Sequence, residues 1–157
     1  MEKNKLKFLI YTDGGSRGNP GPAAIGVVIS AEGGSASGGE DTGWKKNYEE
    51  YIGKATNNEA EYRAVIFALK KLKSLIGGEK IKKSLVEICM DSELLVKQLN
   101  GKYKIKEKNI QNLFLEAWNL RLDFGEIIFR HIPRDDNYDA DKLVNQALNK
   151  EESKLDI

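Results

Sequence analysis

Apolar and polar positions along this chain follow two periods, and the change from one to the other marks where strand gives way to helix. Residues 6–12 are apolar and β-rich and predict a strand closing at Asp13. The Gly/Pro-rich stretch 14–22 breaks it. Residues 23–30 predict a second strand, the Gly-rich stretch 31–43 a loop, and residues 44–52, with weak alternation, a third strand. At Thr56 the period becomes helical. Thr56, Asn57, Asn58 and Glu59 read as a capping box, and Ala64, Val65, Ala68, Leu69 and Leu72 share one helix face. Gly77 and Gly78 end that helix. Residues 84–90 predict a fourth strand, and 92–99 a short helix stopped near Asn100 and Gly101. Residues 109–122 predict a helix whose apolar face is Leu113, Phe114, Ala117, Trp118 and the segment 120–122. Residues 127–132 predict a fifth strand. Asn137 predicts the N-cap of a last helix with Ala140, Leu143, Val144, Ala147 and Leu148 on one side.

The order β-β-β-α-β-α-α-β-α predicts an α/β fold. Its mixed five-stranded sheet has three antiparallel strands, then two parallel ones, flanked by helices. We assign one domain to residues 6–150 and a C-terminal tail to 151–157. A chain of 157 residues suits a single core.

Composition changes this picture little. Lys and Arg number 25 and Asp and Glu 24, a net charge of +1, so any basic surface must be local. The single cysteine, Cys89, lies in an apolar run and reads as a buried, inert thiol. It allows no intramolecular disulfide, which suits a reducing compartment. The first residues are too polar for a signal peptide and no stretch approaches a membrane span. The expectation is a cytoplasmic monomer with no membrane association and no obligate protein partner.

The informative polar residues are the acids at element ends. Asp13 closes the first strand and Asp91 the fourth; Glu61 and Asp141 each lie one turn into a helix. Ligands in α/β sheets gather at strand ends. If the four converge, they form an oxygen-only pocket suited to Mg2+, a hard cation that takes carboxylates and water. Two ions about 4 Å apart would suit phosphoryl transfer. Each acid also has a plainer reading: Asp13 as a turn residue, Asp91 as a helix cap, Glu61 and Asp141 as solvated first-turn acids. Glu59 has a structural job in the capping box, which leaves Glu61 free. One histidine and one cysteine make a zinc site or a Cys–His nucleophile poor alternatives.

The residues around these acids resemble the motifs of type 1 ribonucleases H. The run from Asp13 through Gly14, Gly15, Ser16, Arg17, Gly18, Asn19, Pro20 and Gly21 to Pro22 is similar to the family's opening signature. Residues Thr56 to Glu61 resemble the second motif, Met90-Asp91-Ser92 the third, and Asn137-Tyr138-Asp139-Ala140-Asp141 the fourth. The resemblance implies a ribonuclease H-like fold and an endonuclease that hydrolyses the RNA strand of RNA–DNA hybrids by a two-metal-ion mechanism. It implies that Asp13, Glu61, Asp91 and Asp141 are catalytic and hold two Mg2+ ions, for which Mn2+ can substitute. Gly18, Asn19, Thr56, Asn57 and Asn58 would touch the hybrid. Many relatives carry a basic protrusion where this chain has only residues 100–108. Lys102, Lys104, Lys106 and Lys108 there either replace it in part or belong to a solvated loop. A loop histidine acts as proton relay in many relatives. Here that position falls to His131, or to Arg134 or Asp135 if His131 closes the fifth strand. Pro133 favours the latter register.

Overall fold

The structure, a computed structural model, describes residues 6–32 and 43–155. Most of the Gly-rich loop expected over 31–43 lies outside the described residues. Five strands form one sheet: β1 (Leu6–Ser16), β2 (Gly21–Ala31), β3 (Trp44–Ala55), β4 (Ser84–Met90) and β5 (Glu126–His131). Their spatial order is β3-β2-β1-β4-β5. The pairs β1–β2 and β2–β3 are antiparallel, and β1–β4 and β4–β5 are parallel. The mixed sheet expected from the element order is therefore the sheet observed.

The helices are α1 (Asn57–Ile76), α2 (Gly78–Ile81), α3 (Glu93–Leu99), α4 (Lys108–Arg121) and α5 (Tyr138–Leu155). Alternation along β1 explains their placement. Phe8 and Ile10 point to one face and pack with Tyr62, Val65, Leu69 and Leu72 of α1 and with Leu95, Ile110 and Ala117 of α3 and α4. The opposite face of β2, at Ala24, packs on Val144, Ala147 and Leu148 of α5. Among the described residues no helix is long and apolar enough to cross a membrane.

Several boundaries differ from those the sequence predicts. β1 does not stop at Asp13; it runs on to Ser16, because Gly14 and Gly15 stay paired with Ile25 and Ala24. α2 follows Gly77 directly, where only a break is expected. α5 continues to Leu155, into the expected tail. On α4, Ile110 and Ala117 are buried and Leu113, Phe114 and Leu120 half-buried, while Trp118 is 41% and Leu122 68% exposed. The buried stripe follows i, i+3, i+7, which leaves Trp118 rotated away from the core.

Asn137 does not cap α5. A 3-10 turn, Arg134–Asn137, leads into the helix, and the Asn137 side chain is buried, pointing toward the sheet. Its reach to two backbone and side-chain acceptors there outcompetes a cap.

Candidate active site

The site opens where two central strands part. β1 and β4 run in register from Leu6↔Ser84 to Tyr11↔Cys89. Beyond that, β1 continues beside β2 alone while β4 ends at Met90, which leaves a crevice between Asp13 and Asp91.

Two glycines bring the helices to this crevice. Gly14 follows Asp13, and a Cβ there would collide with the α1 backbone at Ala60 and Glu61. Gly26 lies opposite Asp13 in β2, and a Cβ there would collide with the carbonyl of Ala140 at the start of α5. Because neither has a side chain, α1 and α5 settle backbone-first on the sheet on either side of Asp13. That close approach carries Glu61 and Asp141 inward. A cleft of about 440 Å³ results, lined by all four carboxylates with Ser16, Asn57 and Arg134 among its other walls.

The acids repel one another there. Burial pushes Asp13 up to about 8, with Asp91, Asp141 and Glu61 adding like charge and a hydrogen bond to Asp141 favouring the protonated form. Burial likewise raises Glu61 to about 7; a hydrogen bond from Ser92 opposes this and Asp91 adds to it. Glu61 Oε2 is buried without a hydrogen-bond partner among the described residues. An uncompensated oxygen among crowded carboxylates is what a bound cation would satisfy.

Neighbours hold the acids in place. Asn137 Nδ2 donates to Thr12 O (2.9 Å) and to Asp91 Oδ2 (3.2 Å), linking β1, the end of β4 and the lead into α5. Ser92 Oγ caps α3 by accepting from the Leu95 amide (3.2 Å). That cap relieves Asp91 of any capping role. Asn145, one turn after Asp141, donates to Asp141 O (3.1 Å) and Oδ2 (3.5 Å). Ser92 and Asn137 stand inside motifs that carry the family resemblance, and Asn145 sits at i+4 from an acid. Gly26, an isolated glycine in an apolar strand, carries the usual sign of close backbone approach. Sequence reasoning assigns none of these four to the site.

Of the residues expected to touch substrate, Asn57 lines the cleft, and a hydrogen bond ties Asn19 to it. The Asn57 amide donates to Asn19 Oδ1 (3.0 Å), and Ser16 N and Oγ donate to Asn57 Oδ1 (2.9 and 3.2 Å). Gly18 and Asn19 are thereby joined to the start of α1, where Asn57 and Asn58 are exposed. Thr56 Oγ1 accepts from the Glu59 amide (3.1 Å) while Glu59 Oε1 accepts from the Thr56 amide (2.9 Å). The capping box is therefore real, and it lowers the Glu59 carboxyl through the Thr56 amide first. His131 is the last residue of β5, paired with Met90, and exposed. Arg134, not His131, is on the cleft wall. Residues 102–108 are exposed apart from half-buried Ile105, whose carbonyl accepts from Gln111 (2.7 Å). Cys89 is buried, and burial pushes its thiol up to about 11, so it has no thiolate to offer at neutral pH.

Does this donor set fit Mg2+? Among the described residues no group of three or more His, Cys, Asp or Glu side chains stands ready to hold an ion. Mg2+ asks for less than such a cage, since it takes one or two carboxylates and keeps its waters. Repulsion acts over a longer range than ligation, so neighbouring carboxylates raise Asp13 and Glu61 without forming a ready-made cage. The chemistry fits a hard divalent cation.

The chain and its fold are similar to known proteins. The reverse transcriptase-like family profile matches residues 11–147. Ribonuclease HI of Halobacterium salinarum is 40% identical over 139 residues, covering 88% of this chain and 62% of that protein. The bifunctional protein Rv2228c of Mycobacterium tuberculosis is 37% identical over 143 residues, covering 91% of this chain and 36% of that one. The chain thus spans only about a third to three-fifths of the length of these relatives. The crystal structure of LC11-RNase H1 in complex with RNA/DNA hybrid superposes with a TM-score of 0.77 at 43% identity, over 91% of this chain and 97% of that one.

Proposed function

Because the chain belongs to the type 1 ribonuclease H family, we propose that it is an endonuclease that hydrolyses the RNA strand of RNA–DNA hybrids with two Mg2+ ions, or Mn2+ in their place. The observation that carries this reading is the convergence of Asp13, Glu61, Asp91 and Asp141 on one cleft that Ser16 and Asn57 also line, with Asn19 hydrogen-bonded to Asn57.

Asp13, Glu61, Asp91 and Asp141 would hold the ions. Held by these carboxylates, Mg2+ would supply charge neutralisation at the phosphate and a more acidic water. The protein's share is positioning. Asn137 fixes one oxygen of Asp91, Ser92 steadies Glu61, and Asn145 steadies Asp141. Gly18, Asn19, Asn57 and Asn58 present backbone and amide groups to sugar and phosphate oxygens, contacts that discriminate little between sequences. The 2′-hydroxyls in the minor groove mark the strand to be cut. We place the enzyme in the cytoplasm as a monomer.

The test is cleavage of an end-labelled hybrid, in Mg2+ and in excess chelator, beside duplex DNA of the same sequence. RNA fragments from the hybrid, lost with chelator and absent from duplex DNA, support the reading. Equal cutting of duplex DNA would replace it with a DNA nuclease on the same fold.

A further inference from the structure

The turn between β1 and β2 is fastened on two sides, and only one fastening belongs to the motif contacts described above. On the α1 side, Asn57 holds Ser16 and Asn19. On the other side, the Arg17 side chain crosses to α5. Its guanidinium donates to Asn149 Oδ1 (2.8 Å) and Asn145 Oδ1 (3.3 Å) through Nη2 and to Glu152 Oε1 (2.6 Å) through Nη1. The acceptors follow i, i+4, i+7, which places them along one helix face. Asn145 completes the chain of contacts, since its own amide donates to Asp141.

We propose that Arg17 is a positioning residue: it registers the β1–β2 turn, with Gly18 and Asn19, against the helix that carries Asp141. Hybrid-contacting and metal-binding groups then meet in one geometry. The inference rests on the reading of the cleft given above.

Stability does not explain this contact. The side chains of Arg17 and Glu152 are 34% and 58% exposed, and exposed ion pairs contribute little. Geometry does explain it. A planar guanidinium offers a fixed fork of donors that reaches three acceptors together, whereas a lysine ammonium holds at most a looser subset. The backbone of the same residue closes the turn, with Arg17 N donating to Pro22 O (2.8 Å). One residue thus fixes both the shape of the turn and its seat on α5. The rival role is a phosphate-binding cation. Its donors would then have to leave Asn149 and Glu152 when the hybrid arrives.

Two variants separate these roles, Arg17→Met and the double variant Asn149→Ala/Glu152→Gln, with Arg17→Lys as the conservative control. Three quantities are measured. They are amide hydrogen exchange of residues 17–21 in the protein alone, hybrid affinity against salt in chelator, and KM and kcat in saturating Mg2+. A positioning role makes Arg17→Met and the double variant behave alike. Exchange in the turn speeds up about tenfold. KM rises about fivefold with kcat within about twofold. The slope of affinity against salt is unchanged, and Arg17→Lys lies between these variants and the parent. Tighter hybrid binding by the double variant, or a salt slope reduced by about one in Arg17→Met, would make Arg17 a phosphate ligand and overturn the proposal. Unchanged exchange in Arg17→Met overturns it as well. If the parent protein does not cut hybrid, the nuclease reading falls, and exchange alone then decides whether the clamp exists.

Discussion

Replacing Asp13 by Asn removes one negative charge from a cluster that holds too many, so the metal-free protein should become more stable as it loses activity. Asp13 stands at about 8 because it is buried and because three other carboxylates face it. A carboxyl whose folded pKa exceeds its unfolded one contributes its full stability below the unfolded value, near pH 4. That contribution disappears as the pH climbs through 8. The metal-free parent therefore loses stability across this window, and the Asn variant does not. About four pK units at about 1.4 kcal/mol each set a ceiling of about 5–6 kcal/mol. Part of that ceiling is charge repulsion from Asp91, Asp141 and Glu61, which can relax, and burial does not vanish with the substitution, so the expected gain near pH 8.5 is about 1–3 kcal/mol. In a chain of this size that is about 2–10 °C in melting midpoint. Mg2+ should narrow or reverse the order, because it stabilises the protein that binds it more tightly. Its affinity should also rise with pH as the carboxyls ionise. The assay is thermal melting of both proteins at about pH 5.5 and about pH 8.5, in chelator and in excess Mg2+, beside hybrid cleavage. A midpoint difference that does not grow with pH in chelator would refute the electrostatic argument. Near-parental turnover by the variant would falsify the assignment of Asp13.

Other substitutions probe how the site is assembled. Gly26→Ala forces the α5 backbone away from β2 at Ala140, and should cost about 2 kcal/mol or more in denaturant melts, with a larger fall in turnover than in stability. Asn137→Ala leaves Thr12 O without that donor and Asp91 Oδ2 without its positioning partner. It should cost about 1–3 kcal/mol and reduce Mg2+ affinity measured by calorimetry. His131→Ala should lower turnover by less than about tenfold and leave the pH–rate profile intact, while Arg134→Ala, on the cleft wall, should cost more. Neutralising Lys102, Lys104, Lys106 and Lys108 together should weaken hybrid binding and flatten its dependence on salt if the segment reaches the substrate. An unchanged slope would leave it a solvated loop.

Much of the site is legible in one dimension because its parts are local. The capping box from Thr56 to Glu59 is four consecutive residues long, and that short pattern alone separates a structural glutamate from Glu61. The strand-closing position of Asp91 and the first-turn position of Asp141 follow from the apolar runs beside them. Asn137 shows where such reading fails. An Asn just before a helix is a good cap, and that local preference is the only one the chain displays. Its actual partners, Thr12 and Asp91, lie 125 and 46 residues away. Trp118 is misplaced for a related reason. It is apolar and close to the buried stripe, but one residue's rotation of about 100° takes it out of the core.

Periodicity, turn chemistry and side-chain type act over a few residues. They are enough to specify the order and type of the elements and the capping of α1 from the chain alone, and they mark the four acids as candidates that only the family motifs around them single out. Other features needed the folded molecule: that β1 runs through Asp13 to Ser16, that Gly14 and Gly26 admit α1 and α5 backbone-first, and that Arg17 spans to α5. These depend on the register of β1 against β2 and on the close approach of helices to the sheet. Such terms arise between segments distant along the chain, where no local pattern can carry them.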